Sequence, residues 1–296
     1  VSQTEVPLVF WAANAMRHSP LERAAAAAAG GFDAISLFTP EAPACAEANG
    51  WTLAQLRREL VSRGAPVSTL DPYLGWYPGF DPDAEGVETA DLLRASQDEV
   101  LRHGAELEAP YLTLVGPFGG PDAEFDEIVE SLAAFVDAAA AAGIRPHLEI
   151  VPTSKVPDLA TAMALVDAVG RDELGLLLDT LHLARAGCGP ADLESVPRER
   201  IFAVQLCDAP AEPITTDYME EILHFRELPG DGGLDLDGYM RALLAKGDLP
   251  PTGPEVFSDR LGALSAHDSA LECGRKCRDF LDSVGAATRP PARAGE

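Results

Sequence analysis

Positive charge is scarce in this sequence. Its 296 residues carry 22 Lys and Arg against 48 Asp and Glu, a formal net charge of −26. A surface this acidic repels a phosphate backbone, which argues against nucleic-acid binding. Long apolar runs are missing as well, so no bilayer span is expected, and the N-terminus lacks the basic-then-apolar pattern of a signal peptide. Cysteine is sparse and unpatterned: Cys45, Cys188, Cys207, Cys273 and Cys277 show no CxxC or zinc-ribbon spacing. The odd count reads as reduced thiols in a cytoplasmic protein. The turn after the first expected strand, Asn14-Ala-Met-Arg-His18, has no GxGxxG, and no G-x-x-x-x-G-K-S/T occurs. Dinucleotide and P-loop phosphate sites therefore have no sequence support.

What is present is a regular alternation. Short apolar runs predict strands over 6–13, 32–38, 66–70, 111–115, 146–151, 175–179, 201–207 and, least regularly, 254–257. Runs this apolar suit strands buried on both faces, as in parallel sheets. Helical periodicity, often alanine-rich, falls between them at 20–29, 53–63, 90–107, 125–142, 158–169, 236–246 and 270–284, with a short, poorly formed helix over 191–196. Eight strand–helix units in a chain of this length favour a single (β/α)8 TIM barrel over an open doubly wound α/β sheet. The barrel is expected to span 1–286. The Pro- and Ala-rich tail, 287–296, has no periodicity and is expected to be disordered. Pro250, Pro251 and Pro254 crowd the eighth strand, so that strand should be short or begin at Glu255.

In such a barrel the C-terminal strand ends converge on one mouth, where the chemistry sits. The last polar residues of the late strands are Glu149, Asp179, Gln205 and Glu255, each in an otherwise apolar run. Three carboxylates converging there would repel one another unless a cation neutralised them. Oxygen-rich ligation suits one divalent ion, Mn²⁺, Mg²⁺ or Co²⁺ before Zn²⁺.

Glu149, the Asp179-x-x-His182 pair, the polar residue at 205 and Glu255 together resemble the metal-binding pattern of the xylose isomerase-like TIM barrels, the sugar phosphate isomerase/epimerase superfamily. Leu178-Asp-Thr-Leu-His182, Arg226-Glu-Leu-Pro-Gly-Asp-Gly232 and Glu255-Val-Phe-Ser-Asp259 are similar to family signatures in content and order. The resemblance implies Glu149, Asp179, Gln205 and Glu255 as metal ligands, with His182 and Arg226 on substrate oxygens. Position 205 is commonly His in this family. Gln there is similar to some dehydratase members, and its amide oxygen favours harder ions than zinc.

A metal with open positions would polarise a substrate carbonyl. Glu149 and Glu255 would then serve as base and acid, and His182 as hydrogen-bonding or proton-transfer group, or simply as a capping residue. Arg226 either holds a substrate oxyanion or pairs with one of the many acids. His147, two residues before Glu149, should face the same way and pack or orient a ligand, and Asp208 should support one. The aromatic run Tyr73, Trp76, Tyr77, Phe80, with Trp11 nearby, either roofs the pocket against a sugar ring or packs as ordinary loop core.

Moving the proton gives isomerisation or epimerisation of a small polyhydroxylated carbonyl compound, and expelling a β-hydroxyl gives dehydration. Gln205-Leu-Cys-Asp-Ala-Pro210 resembles 3-dehydroshikimate dehydratases, but the loop from Asp71 to Asp83 holds no Arg or Lys for a substrate carboxylate. That absence tips the reading to isomerase or epimerase, with the lyase second. A metal-binding partner subunit without catalysis is the third reading. Phosphorylated substrates suit so few mouth cations poorly. No nucleic-acid or membrane partner is expected, and a homo-oligomer is compatible with the sequence.

Overall fold

The computed structural model of the protein describes residues 5–85 and 93–289. Eight parallel strands run in sequence order: β1 (Val9–Phe10), β2 (Ala34–Phe38), β3 (Val67–Tyr73), β4 (Tyr111–Val115), β5 (Arg145–Glu149), β6 (Gly175–Asp179), β7 (Ile201–Leu206) and β8 (Thr252–Pro254). A bridge between Leu8 and Thr252 brings the last strand against the first, giving a nearly closed α/β TIM barrel. Every residue of β6 and β7 is buried, as their unbroken apolar runs predict. Val9, Trp11, Leu177 and Ala203 pack together as a small apolar cluster of their own. Asp179 and Gln205, register partners two positions beyond Leu177 and Ala203, therefore stand above it on the same side of their strands.

Local chemistry accounts for the helix boundaries. Pro20–Gly30 starts at a Ser19/Glu22 capping box and stops where Gly31 adopts φ 76°. The helix expected from 90 begins at Gln97, where Ser96 and Glu99 form another capping box; positions 90–92 lie outside the described residues. Glu41–Ala48 is a further helix that the sequence concealed, because Pro43 sits in its first turn, where proline is tolerated. Of the tail, residues 287–289 are described. Ala287 O accepts from Val6 N, and Arg289 pairs with Glu5 and Asp33; the rest of the tail lies outside the described residues.

Strand eight corrects its expected range, since the ladder covers Thr252–Pro254 and Glu255 follows it. Neighbouring residues of a parallel strand bond to opposite sides: Thr252 N donates to Pro7 O, and Glu255 N to Leu206 O. Pro254, with no N–H, offers only its carbonyl, which accepts from Asn14 Nδ2 at 2.6 Å. Gly253 is required between them, because a Cβ there would lie 1.9 Å from Val9 O. Asn14 Oδ1 also accepts from Val256 N at 2.9 Å. One buried amide therefore brackets Glu255 on both sides.

Candidate active site

Three buried carboxyl groups line one cavity at the C-terminal end of the barrel, Asp71 from β3, Glu149 ending β5 and Glu255 just past β8; a fourth, Asp179 ending β6, lies behind the lining and pairs with its Arg226. Burial, then the neighbouring Glu255 carboxylate, pushes Glu149 well above the usual carboxylate range. Burial also raises Glu255, against the pull of Arg226. Asp71 is pushed up to about 7 by burial, with the Thr113 hydroxyl as its partner. Asp179 differs. Burial works against its charge, but His182, Arg226 and the amides of His182 and Leu181 together hold it below the usual value. Its Oδ1 accepts from those two amides at 3.0 and 2.8 Å, because Asp179 is the N-cap of the helix Thr180–Arg185.

Arg226 stands between two acids. Its Nη1 donates to Asp179 Oδ2 at 2.7 Å and Glu255 Oε2 at 3.2 Å, while Nε donates to Ile222 O. The guanidinium also lies 5.0 Å from the Phe257 ring centroid. Asp208 holds the loop after Arg226 by accepting from Ala209, Gly230 and Leu234 amides. It thus secures the arginine's loop and touches none of the site acids. His182 Nε2 lies 3.4 Å from Glu149 Oε1, and Nδ1 makes a short hydrogen bond with Tyr218 Oη. Burial drives the imidazole down to about 4, so it is neutral at neutral pH. Tyr218 is carried by the helix Tyr218–His224, which Glu221 locks to Arg185 through a buried ion pair.

The donor set fits a divalent cation. Glu149, Asp179 and His182 each offer an atom within 4.8 Å of the others. Beside them Gln205 is fully buried, and neither Oε1 nor Nε2 has a hydrogen-bond partner. A buried amide is rarely left unpaired, and this one lies in register with Asp179. The cluster suggests one divalent ion. Glu255 is outside this group of three and is tied to Asp179 through Arg226, while His182, expected on substrate oxygens or as a capping residue, stands among the ligating atoms.

Residues 24–277 match the family model described as the xylose isomerase-like TIM barrel. The chain belongs to this family. Within it, a 3-dehydroshikimate dehydratase of Pseudomonas putida is 27% identical over 256 residues, 85% of this chain and 38% of that protein. The chain thus spans well under half the length of that relative. An inosose isomerase of Halalkalibacterium halodurans is 31% identical over 129 residues, 43% of this chain and 44% of that protein. A crystal structure of the IOLI protein with a bound zinc atom superposes with a TM-score of 0.77 at 22% identity, covering 94% of this chain and 98% of that one. These relatives are a dehydratase and an isomerase, and the structure that superposes shares the barrel fold. Among the described residues no helix is long and apolar enough to cross a membrane.

Two residues expected at the substrate lie elsewhere in this xylose isomerase-like barrel. Trp11 is fully buried in the cluster beneath the acids. Trp76 faces the main core, its Nε1 donating to Val115 O at 2.9 Å. The aromatic loop packs as core, and neither tryptophan lines the cavity. His147 does pack, stacked on Tyr111 with Thr113 Oγ1 3.1 Å from its Nε2. Three residues escaped the sequence reading. Asp71 carried the same signal as the other acids, a carboxylate closing an apolar run, but the expected strand stopped one residue short of it. Asn14 and Tyr218 gave no signal, since their partners are distant in sequence.

Proposed function

We propose that the chain is a divalent-metal-dependent enzyme moving a proton at the carbon beside the carbonyl of a small sugar-like substrate, with isomerisation or epimerisation as the outcome. The observation that carries this reading is the pair Glu149 and Glu255. Both are buried and both line one cavity, Glu149 beside His182 and Glu255 beside Arg226, where a substrate between them would have a carboxyl group on either side. Glu149, Asp179, Gln205 and Glu255 would hold the metal, with His182 beside them. When bound, the metal polarises the substrate carbonyl and makes the neighbouring proton acidic. One glutamate takes that proton and the other returns one, to the same carbon from the opposite face in epimerisation, or to the former carbonyl carbon in isomerisation, where the hydroxyl proton passes between the two oxygens. Neutral His182, fixed by Tyr218, hydrogen-bonds a substrate hydroxyl, and Arg226 contacts a substrate oxygen while keeping Asp179 ionised.

Dehydration is the second reading, favoured by the similarity to the Pseudomonas putida dehydratase along 85% of this chain. It uses the same proton abstraction, followed by loss of a β-hydroxyl. Against it, Arg226, the one cation among the described residues lining the cavity, is already engaged by two acids.

The test is metal content by mass spectrometry for wild type and Glu149→Gln, with deuterium uptake from solvent into α-hydroxy ketones. Wild type should hold close to one Mn²⁺, Mg²⁺ or Co²⁺ per chain and exchange the α-proton, and the variant should lose both. Absence of metal in reconstituted wild type refutes the reading. Metal without exchange on any ketone points instead to a partner subunit, and release of an unsaturated carbonyl compound to the lyase.

A further inference from the structure

The cavity is two-faced. Its floor carries the acids and His182, but its walls are Phe38, Leu74, Val115, Val151 and Phe257, with Met16 and Leu223 at the rim. Leu74, Val115 and Val151 belong to an apolar cluster separate from the main core, against which Phe118 packs. Met16 is 47% and Leu223 37% exposed, so the apolar lining continues out to solvent. Among the described lining residues, hydrogen-bonding side chains occur only at the floor, where Asp71, Glu149, His182, Arg226 and Glu255 converge. A polyol placed here would bury its outer hydroxyls against hydrocarbon with no partner, which binding sites penalise. Among the described lining residues a phosphate would meet one cation, Arg226, which is 4% exposed and paired twice.

The volume bounds the occupant. The cavity holds about 160 Å³. An apolar cavity of roughly 150 Å³ is large enough for benzene, so the space suits one six-membered ring or a branched chain of similar bulk.

We propose that the substrate is oxygenated at one end only. A hydroxy-carbonyl pair faces the acids, and behind it lies an unphosphorylated hydrocarbon ring or short chain against Leu74, Val115, Val151 and Phe257. This rests on the proton-transfer reading above and narrows "sugar-like" to the reacting end of the molecule.

Two α-hydroxy ketones separate the ideas: 2-hydroxycyclohexanone, with methylenes behind the reacting pair, and erythrulose, with hydroxylated carbons there. Each is titrated calorimetrically into the Mn²⁺-loaded full chain, and α-proton exchange is followed by NMR in deuterium oxide. Each buried methylene contributes about a fourfold gain in affinity, so the cyclic ketone should bind at least about tenfold more tightly. Val151→Thr, nearly isosteric, and Met16→Gln, at an exposed rim position, should each shrink that preference with metal content unchanged. Equal or tighter binding of erythrulose, with exchange intact, overturns this inference and leaves the proton-transfer reading standing. A preference unmoved by both folded variants also overturns it. Failure of the metal-loaded protein to bind or exchange either ketone overturns both.

Discussion

Replacing Arg226 with methionine removes one charge and, with it, the buried hydrogen bond to Ile222 O. Methionine keeps an apolar stem against Phe257, but Asp179 Oδ2 and Glu255 Oε2 lose the cation between them. All three side chains are almost fully buried, so water cannot replace the guanidinium. Breaking a buried ion pair from one side typically costs about 3–5 kcal/mol. The metal-free variant should therefore be less stable by that amount, with its melting temperature lowered by roughly 5–8 °C. Metal should reverse the ranking of the two proteins' gains. In wild type an incoming divalent ion competes with the guanidinium for the oxygens of Asp179 and Glu255, whereas the variant offers them free. Urea unfolding followed by circular dichroism, in EDTA and in excess Mn²⁺, measures both effects. Ligand at about a hundred times its dissociation constant adds roughly 2.7 kcal/mol, and the variant should gain more than wild type. Weaker Mn²⁺ binding by Arg226→Met, or undiminished stability in EDTA, would show that the arginine does not hold those acids in the way argued.

Gln205→Met separates ligation from packing by sign. It should weaken metal binding yet leave the metal-free protein equally or more stable, because an unpaired buried amide has been removed; calorimetry and melting curves check the two arms. Asn14→Ala should cost about 2–4 kcal/mol, since Pro254 O and Val256 N lose their buried partner. It should also weaken metal binding through the displaced Glu255, and Asn14→Asp should not rescue it, because a carboxylate oxygen would replace the Nδ2 that donates to Pro254 O and Trp11 O. Metal binding should release protons. Glu149 and Glu255 have raised pKa values, so they are protonated more readily than ordinary carboxyls when no metal is bound and must ionise to ligate. Affinity should therefore rise with pH until both carboxyls are ionised. Titration heats in buffers of unequal ionisation enthalpy would reveal it, and identical heats would contradict it.

The barrel was legible because each strand is a short apolar run and each run closes on a turn or an acid. That signal located Glu149, Asp179 and Gln205 at their strand ends and anticipated the short last strand. It failed where chemistry depends on chain-distant partners. Arg226 lies 47 positions from Asp179 and 29 from Glu255, so sequence left open whether it meets substrate or acids. Trp76 was ambiguous because a loop has no periodicity to say which side faces inward; here it turns to Val115 O and the core. Asp71 was readable in principle, but Pro72 and the aromatic run after it suggested that the strand had already ended. The ladder in fact continues to Tyr73 through an irregular register.

The hydrogen bonds from Asn14 to Pro254 and Val256 join positions 240 and 242 residues apart. Contacts at such separation form late in folding, because the entropy of closing the intervening loop must be met first. Glu255 is thus held opposite Glu149 only once the first and last strands have met. Final assembly of the site is therefore coupled to ring closure itself.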